Sequence, residues 1–466
     1  MKATKQEEDI LMQTIFQKMN NKKIFKIQKG KKAKLLSMLL AGSFTLGTLS
    51  GCGSELFWKE SPDMSLETAT PKTTEATNMP SETTTQKTTE QTGDSSKQFH
   101  SGINQFSYHL FDELAEEKNV FFSPYSIAMA ISMLDNGADG KTKEELETVL
   151  GIKDLNTWNA SAKDYLSLYE NGNPKLLTAN SVWLSNYFAL SKTAEQKFLS
   201  PLKEYYNAEQ YKMDLSGTKA LEAINSWISK KTNGMIDPFL NKPLDDINMA
   251  LINAVYFEGK WETAFYEEYT EPNTFYGKEH PSTTDMMNQT DVSYPTLSRH
   301  GIEAVELPYE NETLAMDILI PTQGKDDILS LFSGLSDEEK SAFFTDLSNA
   351  ETKELNTLMI PKFEMEYGVE NISNQLKALG MKQAFCKGGF DSISKDFQID
   401  EVLHKAKIEV NEAGTKAAAA TAVINELGMS TDDLPTSFLV TRPFIYVIRD
   451  VDTDMILFMG YMQDME

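Results

Sequence analysis

Few side chains in this sequence are spaced for catalysis. It holds no Gly-x-Ser-x-Gly, His-Glu-x-x-His or Cys-x-x-Cys motif and no glycine-rich phosphate loop. Five histidines leave little material for acid–base chemistry or metal ligation in 466 residues, and nothing calls for a cofactor. The most informative stretch of the sequence instead begins just before Glu412. Ala406 to Asn411 alternate as a half-buried strand would, Gly414 then breaks the pattern, and Ala417 to Ala422 carry almost no side-chain bulk. Alanine favours helix, so this tract opposes the extended form of its neighbour. On the tract alone, an alanine-rich surface helix competes with a segment that switches between two conformations.

Glu412-x-Gly414-Thr415-x-Ala417-Ala418-Ala419-Ala420-Thr421-Ala422 resembles the hinge of the reactive-centre loop of serpins, the inhibitors that trap serine proteases. The resemblance runs in order from about Phe99 to Met465. It takes in Asn119 to Ile127, Met133 to Glu144, Thr178 to Trp183, Ile224 to Ile228 and Lys231 to Ile236. Ile252 to Trp261, Met286-Met287, Glu306 to Tyr309, Pro361 to Phe363, Leu379 to Met381 and Arg442 to Phe444 complete it.

The resemblance implies an α+β serpin fold, with helices packed around three β-sheets and an exposed reactive-centre loop. It implies a monomeric suicide substrate. A serine protease cuts the loop and forms an acyl-enzyme, and the loop then inserts as a new strand, trapping the protease in a covalent 1:1 complex. Thr415, Ala417, Ala419 and Thr421 would face the packed interior, where bulk or charge would slow entry, and Lys416 would stay on the solvent side. Ser123, Ser126, Asn253 and His404 match the hydrogen-bonded shutter cluster, a non-catalytic assignment. Lys362, Glu412 and Trp261 match the breach at the top of the sheet. Counting seventeen residues from Glu412 puts the cut at Gly428-Met429. The stretch to Pro443 is a few residues longer than in familiar relatives, so Leu427-Gly428 and Met429-Ser430 stand beside it. None of these bonds offers Arg or Lys, which favours an elastase-, subtilisin- or chymotrypsin-like target over a trypsin-like one.

The elements that must position these residues are legible in outline. Phe106, Leu110, Phe111 and Leu114 share a helical face, as do Leu221, Ile224, Trp227 and Ile228. Strand-like runs dominate later, at Leu314 to Pro321 and Phe444 to Arg449, as one large mixed domain over 98–466 would require.

Residues 1–51 read as a lipoprotein signal peptide. A basic stretch is followed by the apolar run Leu35 to Gly51, and Leu49-Ser50-Gly51-Cys52 resembles the bacterial lipobox, whose cleavage would leave Cys52 lipidated. Met19 is an alternative start to Met1. Residues 52–97 read as a disordered tether, with eleven Thr among the 27 residues from Leu66 to Thr92. Such a tether spans about 35–40 Å, which would hold a secreted domain clear of the outer face of a cell membrane. Cys386 reads as a structural thiol. The net charge is −25, and loss of a leader with a balance of +7 leaves −32, which excludes nucleic acid and disfavours glycosaminoglycan. A solute-binding lipoprotein and a noninhibitory serpin are the competing functional readings.

Overall fold

The computed structural model describes residues 86–465 except 116–117, 169–173, 189, 245–246, 311, 323–325, 396, 400–401 and 416–436. Helices and three β-sheets make an α+β architecture, as the sequence predicts.

The helices used below are α1 (Gln86–Leu114), α2 (Pro124–Asp135), α3 (Gly140–Leu150), α4 (Leu155–Leu168), α5 (Ser200–Tyr206) and α6 (Thr218–Lys231). The later ones are α7 (Ile328–Ser333), α8 (Asp337–Ser348) and α9 (Ser373–Ala378). The strands begin with β1 (Val120–Phe122), β2 (Lys175–Ser185), β3 (Glu209–Met213), β4 (Met249–Lys260), β5 (Glu271–Tyr276) and β6 (Pro281–Gln289). Next come β7 (Val292–Arg299), β8 (Ile302–Pro308), β9 (Leu314–Pro321), β10 (Thr352–Leu355), β11 (Thr357–Pro361) and β12 (Phe363–Asn371). The last are β13 (Leu403–Asn411), β14 (Gly414–Thr415), β15 (Ser437–Leu439), β16 (Phe444–Asp450) and β17 (Ile456–Met462).

The seven-stranded sheet runs β1-β17-β16-β9-β8-β7-β10, the four-stranded sheet β15-β11-β6-β5, and the six-stranded sheet β12-β13-β14-β4-β2-β3. β9, β16 and β17 are buried along their whole length, so their near-continuous apolar sequences fit a covered sheet. The buried charged exceptions are Asp317 on β9, Asp450 on β16 and, the largest of them, Arg449 on β16. It is held by Glu306 of β8 and Asp317 of β9, and by Asp454 and Ser348 at 2.9 and 2.6 Å. Charge pairing of this kind is what a buried guanidinium requires.

α1 begins at Gln86, ahead of the boundary expected at residue 98. Its buried face carries Phe99, Ile103, Phe106, Leu110 and Phe111. Once packing has fixed those turns, each polar residue added before them costs only its own propensity, because nucleation is already complete. α2 starts where Ser123 caps the Ser126 amide and Pro124 takes the first turn. α6 lays Ile224, Trp227 and Ile228 on a second core with Trp183, Tyr211, Ile252 and Ala254, and Trp183 stacks on Tyr211 at 4.2 Å. Leu221 is only partly buried at the edge of that cluster.

Candidate functional site

The site is the mouth of the six-stranded sheet. β13 alternates as its sequence predicts, with His404, Ala406, Ile408 and Val410 buried and Lys405, Lys407, Glu409 and Asn411 half-buried between them. The chain turns through Glu412-Ala413 and returns as β14, only two residues long. β14 pairs with the end of β13 on one side and with the end of β4 on the other. Among the described residues no strand lies between β13 and β4 below Thr415. A cavity of about 320 Å³ opens at the lower end of that interval, lined in part by Phe239, Leu251, Asn253, Ile399, Val402 and His404.

Glycine is required at the turn into β14. Gly414 has φ +149°, and a Cβ there would lie 2.2 Å from the Gly259 carbonyl oxygen. Gly259 is equally constrained, because its own Cβ would meet the Tyr309 ring at 2.7 Å. The two glycines let β14 pass beside a stacked pair, Trp261 on Tyr309 at 4.8 Å. Trp261 donates its indole N–H to the Asn411 carbonyl at 2.9 Å and its backbone N–H to the Ala413 carbonyl at 3.1 Å. The Tyr309 hydroxyl meets Thr415 Oγ1 at 2.7 Å, so Thr415 faces inward as the alternation requires.

Lys362 and Glu412 also come together here. Lys362 Nζ stands 2.9 Å from the Glu412 carboxylate, which also accepts from Thr270 Oγ1 at 2.9 Å. Burial alone would raise the Glu412 carboxyl, but hydrogen bonds from its own backbone, Lys362 and Thr270 outweigh it and hold the group below its ordinary value. Trp261, Lys362 and Glu412 therefore occupy one corner of the sheet.

Ser123, Ser126, Asn253 and His404 meet deeper in the molecule. The Ser123 amide donates to His404 Nε2 at 3.2 Å, and Ser123 Oγ donates to the Leu457 carbonyl at 2.7 Å. Ser126 Oγ donates to Asn253 Oδ1, Asn253 Nδ2 to Asn180 Oδ1 at 2.6 Å, and Asn180 Nδ2 to the Tyr206 carbonyl at 2.7 Å. Burial lowers the His404 pKa to about 4, so the ring is neutral, with Nε2 as acceptor. Neither serine hydroxyl donates to His404, so the cluster lacks the geometry of an activated nucleophile. Among the described residues no group of His, Cys, Asp and Glu is arranged to hold a metal ion.

Sequence reasoning missed Tyr309, Gly259, Thr270, Asn180 and Tyr206 as parts of these sites. Tyr309, Gly259 and Asn180 lay inside the matched segments Glu306 to Tyr309, Ile252 to Trp261 and Thr178 to Trp183 but had no role assigned to them. Cys386 departs from expectation, since it is exposed on the surface with only a 3.6 Å contact to the Lys382 carbonyl. It closes a short helical turn, Gln383–Phe385, whose buried member is Ala384. Ala417, Ala418, Ala419, Ala420 and Thr421 lie outside the described residues, as do Leu427, Gly428, Met429, Ser430 and Cys52.

The serpin (serine protease inhibitor) family profile matches residues 101–465. The chain belongs to the serpin family. A serpin-like protein of Thermococcus kodakarensis is 34% identical over 374 residues, covering 78% of this chain and 85% of that one. Iripin-2 of Ixodes ricinus is 34% identical over 372 residues, covering 77% and 91%. The native state of the thermophilic serpin tengpin superposes with a TM-score of 0.69 at 30% identity, over 83% of this serpin and 97% of tengpin. The three sheets, with a two-residue β14 at the head of the six-stranded one, are thus a serpin scaffold.

Proposed function

We propose that this serpin is an inhibitory one, a suicide substrate that traps an elastase-, subtilisin- or chymotrypsin-like serine protease. The observation that carries the reading is β14. Its two residues already pair on both sides at the head of the interval between β13 and β4, and the sequence that follows is small enough to continue there. A strand begun in this way needs only a cut in the loop to extend, because the uncut loop must span from Thr415 to β15 in another sheet. Trapping is then a race. If the loop inserts before the acyl-enzyme hydrolyses, the protease stays bound; if not, the inhibitor is spent. The uncut form is held by kinetics rather than by being the lowest state.

The same proposal places the domain outside the cell, anchored by a lipid on Cys52 through the Thr-rich tether. The support is the lipobox-like Leu49 to Cys52 at the end of an apolar run.

The test is to mix the chain lacking its leader with pancreatic elastase, neutrophil elastase and subtilisin. A complex surviving SDS supports trapping, and the first residue of the C-terminal peptide freed by denaturation identifies the scissile bond. Cleavage without complex by all three enzymes, or no cleavage between Val423 and Thr436, counts against the reading.

A further inference from the structure

The buried charges of the seven-stranded sheet do not balance. Arg449 of β16 directs its Nε to Asp317 of β9, its Nη2 to Glu306 of β8, and its Nη1 to Asp454 and to Ser348 of α8 at 2.9 and 2.6 Å. One guanidinium thus serves three carboxylates, and full ionisation would leave two uncompensated negative charges. Arg449 and Asp317 are fully buried and Glu306 nearly so, and of the four only Asp454 keeps substantial contact with water.

Glu306 and Asp317 lie directly opposite each other in the β8–β9 register, the arrangement in which like charges oppose strand pairing. Asp317 carries the sharper conflict. Its Oδ2 accepts from Arg449, while its Oδ1 is buried with no hydrogen-bond partner among the described residues. Leaving an ionised carboxylate oxygen in that position carries a large desolvation cost. The cations of the packed elements are engaged elsewhere. Lys340 of α8, which lies over the Tyr108 ring of α1, is held by Asp112 of α1 at 3.0 Å, and Arg299 of β7 is paired with Asp346 of α8. His109 of α1 faces Asp337 of α8 at 2.9 Å. α7 has no ionisable side chain, and Ile456 of β17 lies opposite Arg449. What α8 adds is the Phe344 ring against the guanidinium and the Thr345 hydroxyl, which donates to Asp454 at 2.6 Å.

We propose that the Glu306–Asp317 pair holds one proton at and below neutral pH, which makes this cluster a pH-sensitive fastening between β8, β9, β16 and α8. The inference stands independently of the inhibitory reading. With one proton on the pair, the guanidinium faces one charged and one neutral carboxyl, and the repulsion across the β8–β9 register disappears. Burial, and after it the Asp317 charge, push the Glu306 carboxyl up to about 7 against the pull of Arg449, and burial raises Asp317 as well. Two carboxyls on one guanidinium titrate together, so the proton belongs to the pair. A free glutamate gives up its proton near 4.5, so the stabilisation is complete below that pH and is lost as pH rises through about 7. His404 changes in the opposite sense, and its contribution is complete above about pH 6.5. The window above that belongs to the pair and to Asp135 of α2, whose carboxyl burial pushes up to about 7 beside Lys143 and Glu147.

The experiment is infrared difference spectroscopy between about pH 6 and about pH 8.5, on wild type, Glu306→Gln, Asp317→Asn and Asp135→Asn. The carbonyl band of a protonated carboxyl should be present in wild type at the lower pH and fade at the higher. Glu306→Gln and Asp317→Asn should each remove the same share of that band, because a single carboxyl beside Arg449 stays ionised. Asp135→Asn should keep that share. Urea unfolding gives the second readout. Over the same interval the unfolding equilibrium constant of Asp135→Asn should rise about tenfold or more, and the rise in Glu306→Gln and Asp317→Asn should fall short of the wild-type rise by a similar factor. A band change of wild-type size in Glu306→Gln or Asp317→Asn would overturn the shared proton. If neither of those variants folds, Asp135→Asn decides alone: a band that persists at about pH 6 supports the proposal, and its absence there overturns it.

Discussion

Removing a single oxygen should loosen the mouth of the six-stranded sheet. Tyr309→Phe keeps the ring that stacks on Trp261 at 4.8 Å and deletes the hydroxyl that meets Thr415 Oγ1 at 2.7 Å. Tyr309 and Thr415 are both buried, so the Thr415 hydroxyl would be left without its partner. A lost buried hydrogen bond of this type costs about 1–2 kcal/mol. β14 has only two residues to hold it, so the cost falls on local opening rather than on the whole fold. At a factor of ten per about 1.4 kcal/mol, amide exchange over residues 410–415 should speed up about fivefold to thirtyfold. Hydrogen–deuterium exchange with mass spectrometry reads this directly, with peptides from β16 and β17 as the unchanged reference. Thr415→Val removes the other half of the bond, so the double variant should open little faster than the faster single one. Exchange at 410–415 within twofold of wild type, or fully additive effects in the double variant, would refute the argument.

Three further outcomes are expected. Burial lowers the His404 pKa to about 4 from 6.5, so the unfolded chain binds the proton more readily; this contribution is complete above about pH 6.5 and is lost as pH falls toward 4. The loss is up to about 3 kcal/mol, and urea midpoints at pH 7.5 and 4.5 should separate more in wild type than in His404→Gln. Gly414→Ala would set a Cβ 2.2 Å from the Gly259 carbonyl oxygen and 2.7 Å from Lys260 Cα, neither of which can swing aside, so β14 should be expelled and exchange at 410–415 should exceed that of Tyr309→Phe. Met429→Arg should move inhibition toward trypsin-like enzymes; unchanged selectivity against a protease panel would mean that Met429 does not fill the specificity pocket.

Local pattern carried the sequence reading further at the hinge than anywhere else. The alternation of β13 and the break at Gly414 are short-range properties that the spacing shows, whereas the buried Thr415 follows the inward position that the resemblance implies. Ser123 and Ser126 were named through the resemblance, and the structure puts both at the start of one helix. The hydrogen bonds from Asn253 through Asn180 to Tyr206 were not legible, since they join β4, β2 and α5, and no local periodicity reports that strands 73 residues apart in sequence lie side by side. Tyr309 and Gly259 escaped for a related reason. Their roles depend on the closeness of two backbones, and a glycine inside a strand pattern signals only that something approaches. The ends of elements were least legible. α1 runs back to Gln86 through residues whose composition alone suggests a tether.

The chain order of the strands has a consequence for what a cut would look like. β15, β16 and β17 all follow residue 436, yet they are built into the four- and seven-stranded sheets beside β11, β9 and β1. Scission anywhere in 416–436 would therefore sever the covalent chain without freeing either piece, because the shorter fragment supplies inner strands of a sheet that the longer one completes. The product would be a nicked heterodimer heavier by only the one water added in hydrolysis and little altered in size. Gel filtration would miss the event, and only unfolding would make the fragment appear.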